Sequence, residues 1–343
     1  MAFKKLAVFA ASAFTAAAIA TSTFAQEVTL RFHHFLPPQA NVPKQVIGKW
    51  ADDVAKATQG KVKVDVYPSM QLGGKPPQLM DQARDGIVDL VWTVVGYTPG
   101  RFPRTEVFEL PFMMTNAGAA SRAYWQMFEK HMADTEFKDL KIIGTWVHGP
   151  GLFHSKKPIA SVSDLRGVKI RGGSRTVNSL LVELGATPVG MPVPAVPEAL
   201  SKGVIDATTI PWEVTAALKV PELVSNHTEF GKDSLYTLTF VIAMNKAKFD
   251  SLPDDIKKAI DSVSGEEFSV YAGSTQEAAD GPARELAVKR NNNIIQLNEE
   301  QIAEWKKAAE PIYAKWVADM KEKGIDGQAL IDEARGLIAK YTK

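Results

Sequence analysis

The segments Asp-Gly-Ile-Val-Asp-Leu at residues 85–90 and Lys-Gly-Val-Ile-Asp-Ala at residues 202–207 share one pattern. In each, a glycine follows a helical stretch, two β-branched residues open a strand, and an aspartate comes next. Glycine is typical of the left-handed position that ends a helix. Both strands lead into loops with prolines and aromatics, such as Trp92 and Trp212. The pattern predicts two similar α/β lobes with facing loops and a cleft between them; the alternative is a chance repeat.

Strands and helices alternate on both sides of the first segment. Apolar residues at positions 46, 47, 50 and 54 have helical spacing, and valines at 62, 64 and 66 alternate with charged residues as in a strand. Residues 87–95 form a nearly continuous apolar run, typical of a strand covered on both faces. This order predicts parallel strands in a sheet flanked by helices.

The second half repeats this order before a helical end. Residues 168–171 and 204–210 have the composition of strands, and residues 177–184 carry a helical apolar face. Residues 235–245 form a longer β-branched and aromatic run, long enough to pass between two lobes. From Asp254 onward the sequence is mostly helical and charged, which predicts a C-terminal helical block.

Composition excludes several classes of protein. The chain of 343 residues is 45% hydrophobic and 23% charged, which is ordinary globular composition and predicts about two domains. The 40 Lys and Arg against 39 Asp and Glu give a formal net charge of +1, which argues against a nucleic-acid partner. The absence of cysteine excludes thiol nucleophiles, thiolate-bound zinc and disulfides.

The N-terminus predicts export. Two lysines precede an apolar stretch at residues 6–19, and small residues precede Gln26. This order is typical of a secretory signal peptide, with cleavage between Ala25 and Gln26. A membrane anchor is the alternative, but the stretch is shorter than the roughly 20 residues that span a bilayer. We therefore predict that residues 1–25 are a signal peptide and that the mature chain works in the periplasm.

The common catalytic motifs are missing. The sequence has no nucleophile elbow, phosphate-binding loop, dinucleotide fingerprint or H-E-x-x-H zinc motif. His33 and His34 would point to opposite sides of a strand end, so the simplest interpretation has one packed and one exposed; the alternative has one lining a pocket. No further His or acidic triplet accompanies them at metal-ligand spacing. We predict no enzyme activity, no cofactor and no metal; an exported hydrolase or isomerase is the alternative.

Basic residues crowd the segment Asp-Leu-Arg-Gly-Val-Lys-Ile-Arg-Gly-Gly at residues 164–173. Lys169 and Arg171 would share one face of a strand, and two glycines after Arg171 would let the backbone approach a ligand. A guanidinium at the carboxyl end of a strand presents a rigid fork that suits a carboxylate. The alternative is a solvated charge cluster. Position favours Arg171 for binding, and not Arg166 or Arg175.

Short motifs in the same order as in a known family run through the mature chain. They are Gly60–Pro68, Gln71–Gly73, Gly86–Asp89, Leu110–Phe112, Lys157–Ile159, Asp164–Arg171, Gly203–Asp206, Met244–Asn245 and Leu252–Pro253. In these the chain resembles the DctP-type substrate-binding proteins of tripartite ATP-independent periplasmic (TRAP) transporters. Each motif is weak alone, but their order and spacing are specific.

The resemblance implies an α/β, two-lobed periplasmic-binding-protein fold. We expect mixed sheets flanked by helices, long strands and helices between the lobes, and closure over a ligand. Residues 26–150 are expected mainly in lobe 1 and residues 151–240 mainly in lobe 2. Residues 241–343 would return between the lobes as the hinge and C-terminal helices. The resemblance also implies that Arg171 holds the carboxylate of an organic acid.

Two departures from the family bear on the ligand. Many members carry a second Arg near the stretch that is His148–Phe153 here, and members that bind sugar acids or diacids often have a polar residue where Ile210 stands. Unpaired polar ligand groups would cost roughly 1–3 kcal/mol each in such a site. We therefore predict an apolar monocarboxylate, with an aromatic acid as the best candidate and a sugar acid or C4-dicarboxylate as the alternative. The expected ligand-binding residues are Arg171, His34, Phe35, Trp92, Tyr97, Phe153, Ile210, Trp212 and Tyr236, with Phe240 also near the cleft.

The expected partners follow from the same resemblance. They are a small carboxylate and the TRAP membrane subunits, with the protein itself a monomer and without nucleic acid. A binding protein for an ABC importer shares the two-lobed plan, but the ordered family motifs argue against it. A sensory receptor as an additional partner stays open.

Overall fold

The computed structural model of the protein describes residues 28–342; the predicted signal peptide at residues 1–25 lies outside them. Eleven strands form two sheets in this range. The strands are β1 (Val28–His33), β2 (Val62–Tyr67), β3 (Leu90–Val94), β4 (Leu140–Val147), β5 (Leu152–Ser155), β6 (Lys169–Gly172), β7 (Thr187–Gly190), β8 (Ala207–Ile210), β9 (Asn226–Glu229), β10 (Thr239–Asn245) and β11 (Asn293–Gln296).

Helices pack against both sheets and make up most of the chain after β10. They are α1 (Gly48–Ala57), α2 (Leu79–Arg84), α3 (Ala117–Met127), α4 (Arg175–Glu183), α5 (Val196–Ser201), α6 (Trp212–Leu218), α7 (Val220–Leu223), α8 (Lys246–Asp250), α9 (Asp254–Ser262), α10 (Glu266–Ala278), α11 (Asp280–Lys289), α12 (Glu299–Ala309), α13 (Pro311–Glu322) and α14 (Gly327–Tyr341). The mixed α/β class and the C-terminal helices agree with the sequence prediction.

The first sheet has the strand order β2-β1-β3-β10-β4. Strand β1 pairs parallel with β2 and β3, as the strand–helix alternation predicts. Strand β10 runs antiparallel between β3 and β4, so the sheet is mixed, as the family resemblance implies and as strand–helix alternation alone does not. Strands β1 to β3 are linked by helical crossovers, whereas β10 joins this sheet only after strands β5 to β9 of the other one.

The second sheet has the strand order β11-β9-β5-β8-β6-β7. Strand β6 pairs parallel with β7 and β8, while β5 is antiparallel to β8 and β9. Strand β11 adds to the edge beside β9 and interrupts the helical C-terminal block. Each sheet therefore takes one strand from a distant part of the chain, which links the two lobes. The lobe ranges drawn from the sequence stay a prediction.

Helix α10 covers the edge strand β4 of the first sheet. The hydroxyl oxygen of Ser269 accepts a hydrogen bond from the backbone N–H of Thr145 at 3.0 Å, and that of Ser121 on α3 accepts one from Val147 at 3.1 Å. A side chain at Gly144 would lie 2.5 Å from the Phe268 ring, so glycine is required for this close approach. The N–H groups on the outer edge of β4 thus find their hydrogen-bond acceptors on the helices instead of on another strand.

A buried histidine pair lies in the second sheet. His154 and His227 are fully buried, with their Nδ1 atoms 2.7 Å apart. Nε2 of His154 lies 3.2 Å from the carbonyl oxygen of Ile210, and the side-chain amide of Asn292 lies 3.0 Å from Nε2 of His227. These contacts form a continuous chain of hydrogen bonds when a single proton lies between the two rings, which requires both rings to be neutral. Burial lowers the pKa of His227 to about 4 and that of His154 well below its usual value.

We expect this pair to make the protein sensitive to acid. The unfolded histidines bind protons near their ordinary pKa of 6.5 and the folded ones do not, so the free energy of unfolding falls as the pH drops below 6.5. For His227 alone the loss amounts to about 3 kcal/mol by pH 4. Denaturant titrations at pH 7 and pH 4 measure the free energy of unfolding of wild type and of His227→Gln. The difference between the two proteins should be smaller at pH 4 than at pH 7 by this amount. Parallel losses in both proteins would contradict the prediction.

Candidate functional site

A cavity enclosed mainly by apolar side chains lies between the two sheets. Its wall comes from segments that follow strand ends and from the connections between the sheets. The first sheet and its loops contribute Phe35, Leu36, Trp92, Val94, Tyr97 and Phe240. The second contributes Arg171, Val193, Ile210, Pro211, Glu213 and Val214. The connections and α10 add His148, Tyr236, Leu238 and Gln276. Both lobes thus enclose one site.

Arg171 is the cation of the cavity wall. Its side chain is 1% exposed, and it lies near the end of β6. Nε donates a hydrogen bond to the carbonyl oxygen of Met191 at 2.9 Å, and Nη1 donates one to that of Thr209 at 3.1 Å. Nη2 is buried and has no hydrogen-bond partner. The guanidinium is therefore held in place with one nitrogen left for a ligand.

The glycine pair after Arg171 makes room for side chains. A Cβ atom on Gly173 would lie 2.6 Å from Leu238 and 3.0 Å from Nη2 of Arg171. One on Gly172 would lie 2.1 Å from the Asn178 amide oxygen. These glycines let the Arg171 head group and its neighbours pack closely. The close backbone approach to a ligand stays a prediction.

Glu213 is the acidic residue among those that line the cavity. It is 4% exposed, and burial raises its pKa to about 7. Its Oε2 accepts a hydrogen bond from the Gln276 side-chain amide at 3.1 Å, whereas Oε1 has no partner. Gln276 is fixed in turn by the Trp146 indole N–H, which donates to its amide oxygen at 2.9 Å. The cavity therefore contains a second oriented polar group besides Arg171.

Aromatic rings form the apolar part of the wall. Trp92 stacks on Phe35 at 4.6 Å between ring centroids and on Phe240 at 5.7 Å. Tyr97 meets Phe35 edge to face at 5.6 Å. Flat apolar surfaces of this kind suit a planar ring in the ligand.

His148 and Tyr236 complete the wall at the connections between the lobes. The backbone N–H of Leu238 donates to Nε2 of His148 at 3.1 Å, and Nδ1 faces the carbonyl oxygen of Gly149, so the ring is neutral with its proton on Nδ1. Burial lowers the pKa of His148 to about 4. Burial also raises the pKa of Tyr236 to about 12, and its hydroxyl makes no hydrogen bond of ordinary geometry.

The structure brings together six of the nine residues expected to bind the ligand. Arg171, Phe35, Trp92, Tyr97, Ile210 and Tyr236 all line the cavity. His34 is not on its wall and lies behind it, with its ring 5.9 Å from Trp92. Both His33 and His34 are fully buried, so the interpretation with one exposed histidine is wrong. His33 is held by the side-chain amide oxygen of Gln82 at 2.8 Å.

Phe153 and Trp212 lie away from the cavity. Phe153 packs between Phe230 and Trp305 in the core of the second lobe. Trp212 contacts the His154 ring at 4.9 Å, and its indole N–H donates to Glu229 at 2.8 Å. Other residues, which the sequence alone did not single out, line the cavity instead. They include His148, Val193, Glu213, Leu238 and Gln276.

An ion pair joins the two lobes beside the site. Arg175 on α4 donates to both carboxylate oxygens of Glu106, at 2.5 and 2.6 Å. The Trp316 indole N–H also donates to Glu106 at 3.1 Å, and Arg175 reaches Asp319 at 3.2 Å. Because Arg175 follows Arg171 by one short loop, this contact ties the segment that carries Arg171 to the first lobe.

The structure described between residues 28 and 342 contains no cluster of three or more His, Asp or Glu side chains placed to hold a metal ion. Over the same range, none of the helices has the length and hydrophobicity required to cross a membrane.

Comparison with known families matches residues 32–319 to the bacterial extracellular solute-binding protein family 7, DctP. The chain belongs to this family. Proteins of this DctP family bind small carboxylates and work with membrane transporter subunits, which agrees with the resemblance found in the sequence motifs. Among curated relatives, the outer membrane transporter protein TsaT of Comamonas testosteroni is 28% identical over 94% of this chain and 95% of its own.

Solved structures of DctP-family proteins share the fold throughout. A TRAP solute-binding protein of Rhodoferax ferrireducens, in complex with copurified benzoate, is 50% identical over 92% of this chain and 98% of its own, with a TM-score of 0.90. One from a marine metagenome with 3-hydroxybenzoate is 46% identical over 93% and 100%, with a TM-score of 0.90. One from Bordetella bronchiseptica with bound mandelate is 29% identical over 91% and 99%, with a TM-score of 0.84.

Proposed function

We propose that the chain is a periplasmic binding protein that captures an aromatic monocarboxylate and delivers it to a TRAP membrane transporter. The observation that carries the proposal is the buried Nη2 of Arg171, left without a partner on the wall of an interlobe cavity lined by aromatic rings. A ligand carboxylate would pair with this guanidinium in a water-excluded site, where charge-assisted hydrogen bonds are strong.

The composition of the wall favours one carboxylate over two and a ring over a polyol. Arg171 is the cation among the residues lining the cavity, so a second carboxylate would be buried without a counter-charge. Hydroxyls of a sugar acid would lose water at roughly 1–3 kcal/mol for each group left unpaired. The stacked rings of Phe35, Trp92 and Phe240 instead offer contact area to an aromatic ligand. The benzoate, 3-hydroxybenzoate and mandelate found with the related proteins support the same class.

Delivery follows from lobe closure. Both lobes contribute to the cavity wall, so a bound ligand bridges them and shifts the equilibrium between open and closed forms toward closed. The Arg175–Glu106 pair adds a protein contact that closure makes and opening breaks. We propose that the monomer, after signal-peptide cleavage near Ala25, acts by reversible binding without catalysis, and that its closed form docks on the membrane subunits.

Calorimetry against a small panel of acids tests this proposal. Benzoate, 3-hydroxybenzoate and mandelate should bind at least about 100-fold more tightly than succinate or gluconate, because each unpaired polar ligand group costs about tenfold or more. Recovery of the bound acid unchanged after long incubation separates binding from turnover. Tight binding of succinate or gluconate without binding of any aromatic acid would refute the ligand class.

A further inference from the structure

Four polar atoms on the cavity wall lack hydrogen-bond partners. They are Nη2 of Arg171, Oε1 of Glu213, the hydroxyl of Tyr236 and the indole Nε1 of Trp92. A carboxylate on Arg171 uses the first. The three that remain imply that the ligand carries a further polar group, because buried polar atoms in folded proteins are rarely left unpaired.

Of these three groups, Glu213 is the one whose orientation is fixed by a hydrogen bond to its own side chain. It lies in the first turn of α6, two residues after Pro211, and its backbone N–H donates to Asp280 at 2.7 Å. Its Oε2 is fixed by Gln276, which the Trp146 indole fixes in turn. These hydrogen bonds hold the carboxyl group in one orientation and leave Oε1 without a partner. Gln276 and Trp146 thus act as positioning residues for Glu213.

A hydroxyl group fits Oε1 of Glu213 better than other polar groups do. A hydroxyl donates to an ionised carboxylate and accepts from a protonated carboxyl, and burial brings the pKa of Glu213 to about 7, so both forms occur near neutral pH. An ammonium needs three acceptors, but Glu213 is the acidic residue among those lining the cavity. A second ligand carboxylate would be repelled whenever Glu213 is ionised.

We propose that Glu213 is the residue that selects a ligand hydroxyl, so that the protein prefers ring-hydroxylated aromatic acids to their unsubstituted parents. The inference rests on the proposed function, since Arg171 must first hold the carboxylate. The site would then have two polar groups in a mostly apolar wall: Arg171, which donates hydrogen bonds to the carboxylate, and Glu213, which binds the hydroxyl.

The test is the ratio of dissociation constants for benzoate and for its better-binding 3- or 4-hydroxy derivative. In wild type the ratio should be about tenfold or more, the value of one buried hydrogen bond. In Glu213→Leu it should fall to about one while benzoate still binds, because the hydroxyl loses its partner and the ring contacts stay. In Glu213→Gln an intermediate ratio is expected, since an amide still pairs with a hydroxyl.

Two control variants separate this role from a general effect of buried polar groups. Glu136→Gln changes another buried carboxyl whose pKa is raised to about 7, away from the cavity, and should leave the ratio unchanged. An unchanged ratio in Glu213→Leu, or a ratio lost only in Tyr236→Phe, would overturn the assignment to Glu213. Tighter binding of zwitterionic phenylalanine than of any hydroxy acid would do the same. Equal binding of benzoate and both derivatives refutes this inference alone, whereas failure of every aromatic acid refutes the proposed function as well.

Discussion

Replacing Arg171 by alanine should weaken aromatic-acid binding by about 100-fold or more, because truncating one partner of a buried, hydrogen-bonded charge pair costs several kcal/mol. The ligand carboxylate would enter a cavity whose wall offers no other cation. Arg171→Lys should recover only part of this loss. A lysine ammonium is a point charge, and it cannot both hold the carbonyls of Met191 and Thr209 and present a planar fork to the ligand.

Calorimetric titration with benzoate measures this effect, and thermal unfolding without ligand checks the fold. The alanine variant leaves the carbonyl oxygens of Met191 and Thr209 without this donor, so we expect it to lose about 1–3 kcal/mol of stability and still unfold cooperatively. Arg166→Ala removes an exposed arginine of the same basic segment and should leave affinity unchanged. Equal affinity of wild type and a folded Arg171→Ala protein would remove Arg171 from the site.

Replacing Trp92 by alanine should lower the free energy of unfolding by about 3–5 kcal/mol, the usual cost of emptying a buried tryptophan site. Trp92 is buried at the centre of the stack formed with Phe35 and Phe240. Loss of the ring removes part of the cavity wall and frees both neighbours to move. Benzoate affinity should therefore also fall, by about tenfold.

Trp305→Ala is the matched control for this variant. Trp305 is as deeply buried as Trp92, its indole N–H also lacks a partner, and it packs against Phe153 and Phe230 far from the cavity wall. Chemical denaturation should show a similar loss in the free energy of unfolding. Benzoate affinity should be unchanged at a temperature where both variants are folded. The same affinity loss in both variants would show that stability alone, and not the ring wall, governs binding.

Much of the fold could be predicted from local pattern. The period-two valines and the continuous apolar run at residues 87–95 correspond to β2 and β3, because side-chain periodicity reports directly which faces are buried. Strand β11 was missed, since a four-residue strand on a sheet edge carries too short a pattern to stand out among helices. The pairing direction of β10 could not be assigned from its own pattern, because direction depends on where the chain enters the sheet.

Some residues of the candidate site could likewise be predicted from the sequence, and others could not. Arg171 could be singled out as a candidate because it stands at the end of a predicted strand before two glycines, and in the structure it lines the cavity. Trp212 and Glu213 are neighbours in the sequence, yet only Glu213 lines the cavity while Trp212 packs against His154. Successive side chains on a helix point about 100° apart, so the orientation of α6 decides which of them lines the cavity.

The sequence by itself determined the α/β class and the solute-binding family, and it singled out Arg171 as a candidate, because these properties are written in periodicity and short motifs. The tertiary structure alone decided how the wall of the cavity is built. It placed Phe153 in the core instead of the cavity, and it brought Gln276 from α10 to Glu213 on α6. Contacts between residues so far apart in the chain depend on how the two lobes meet, and no local pattern contains that information.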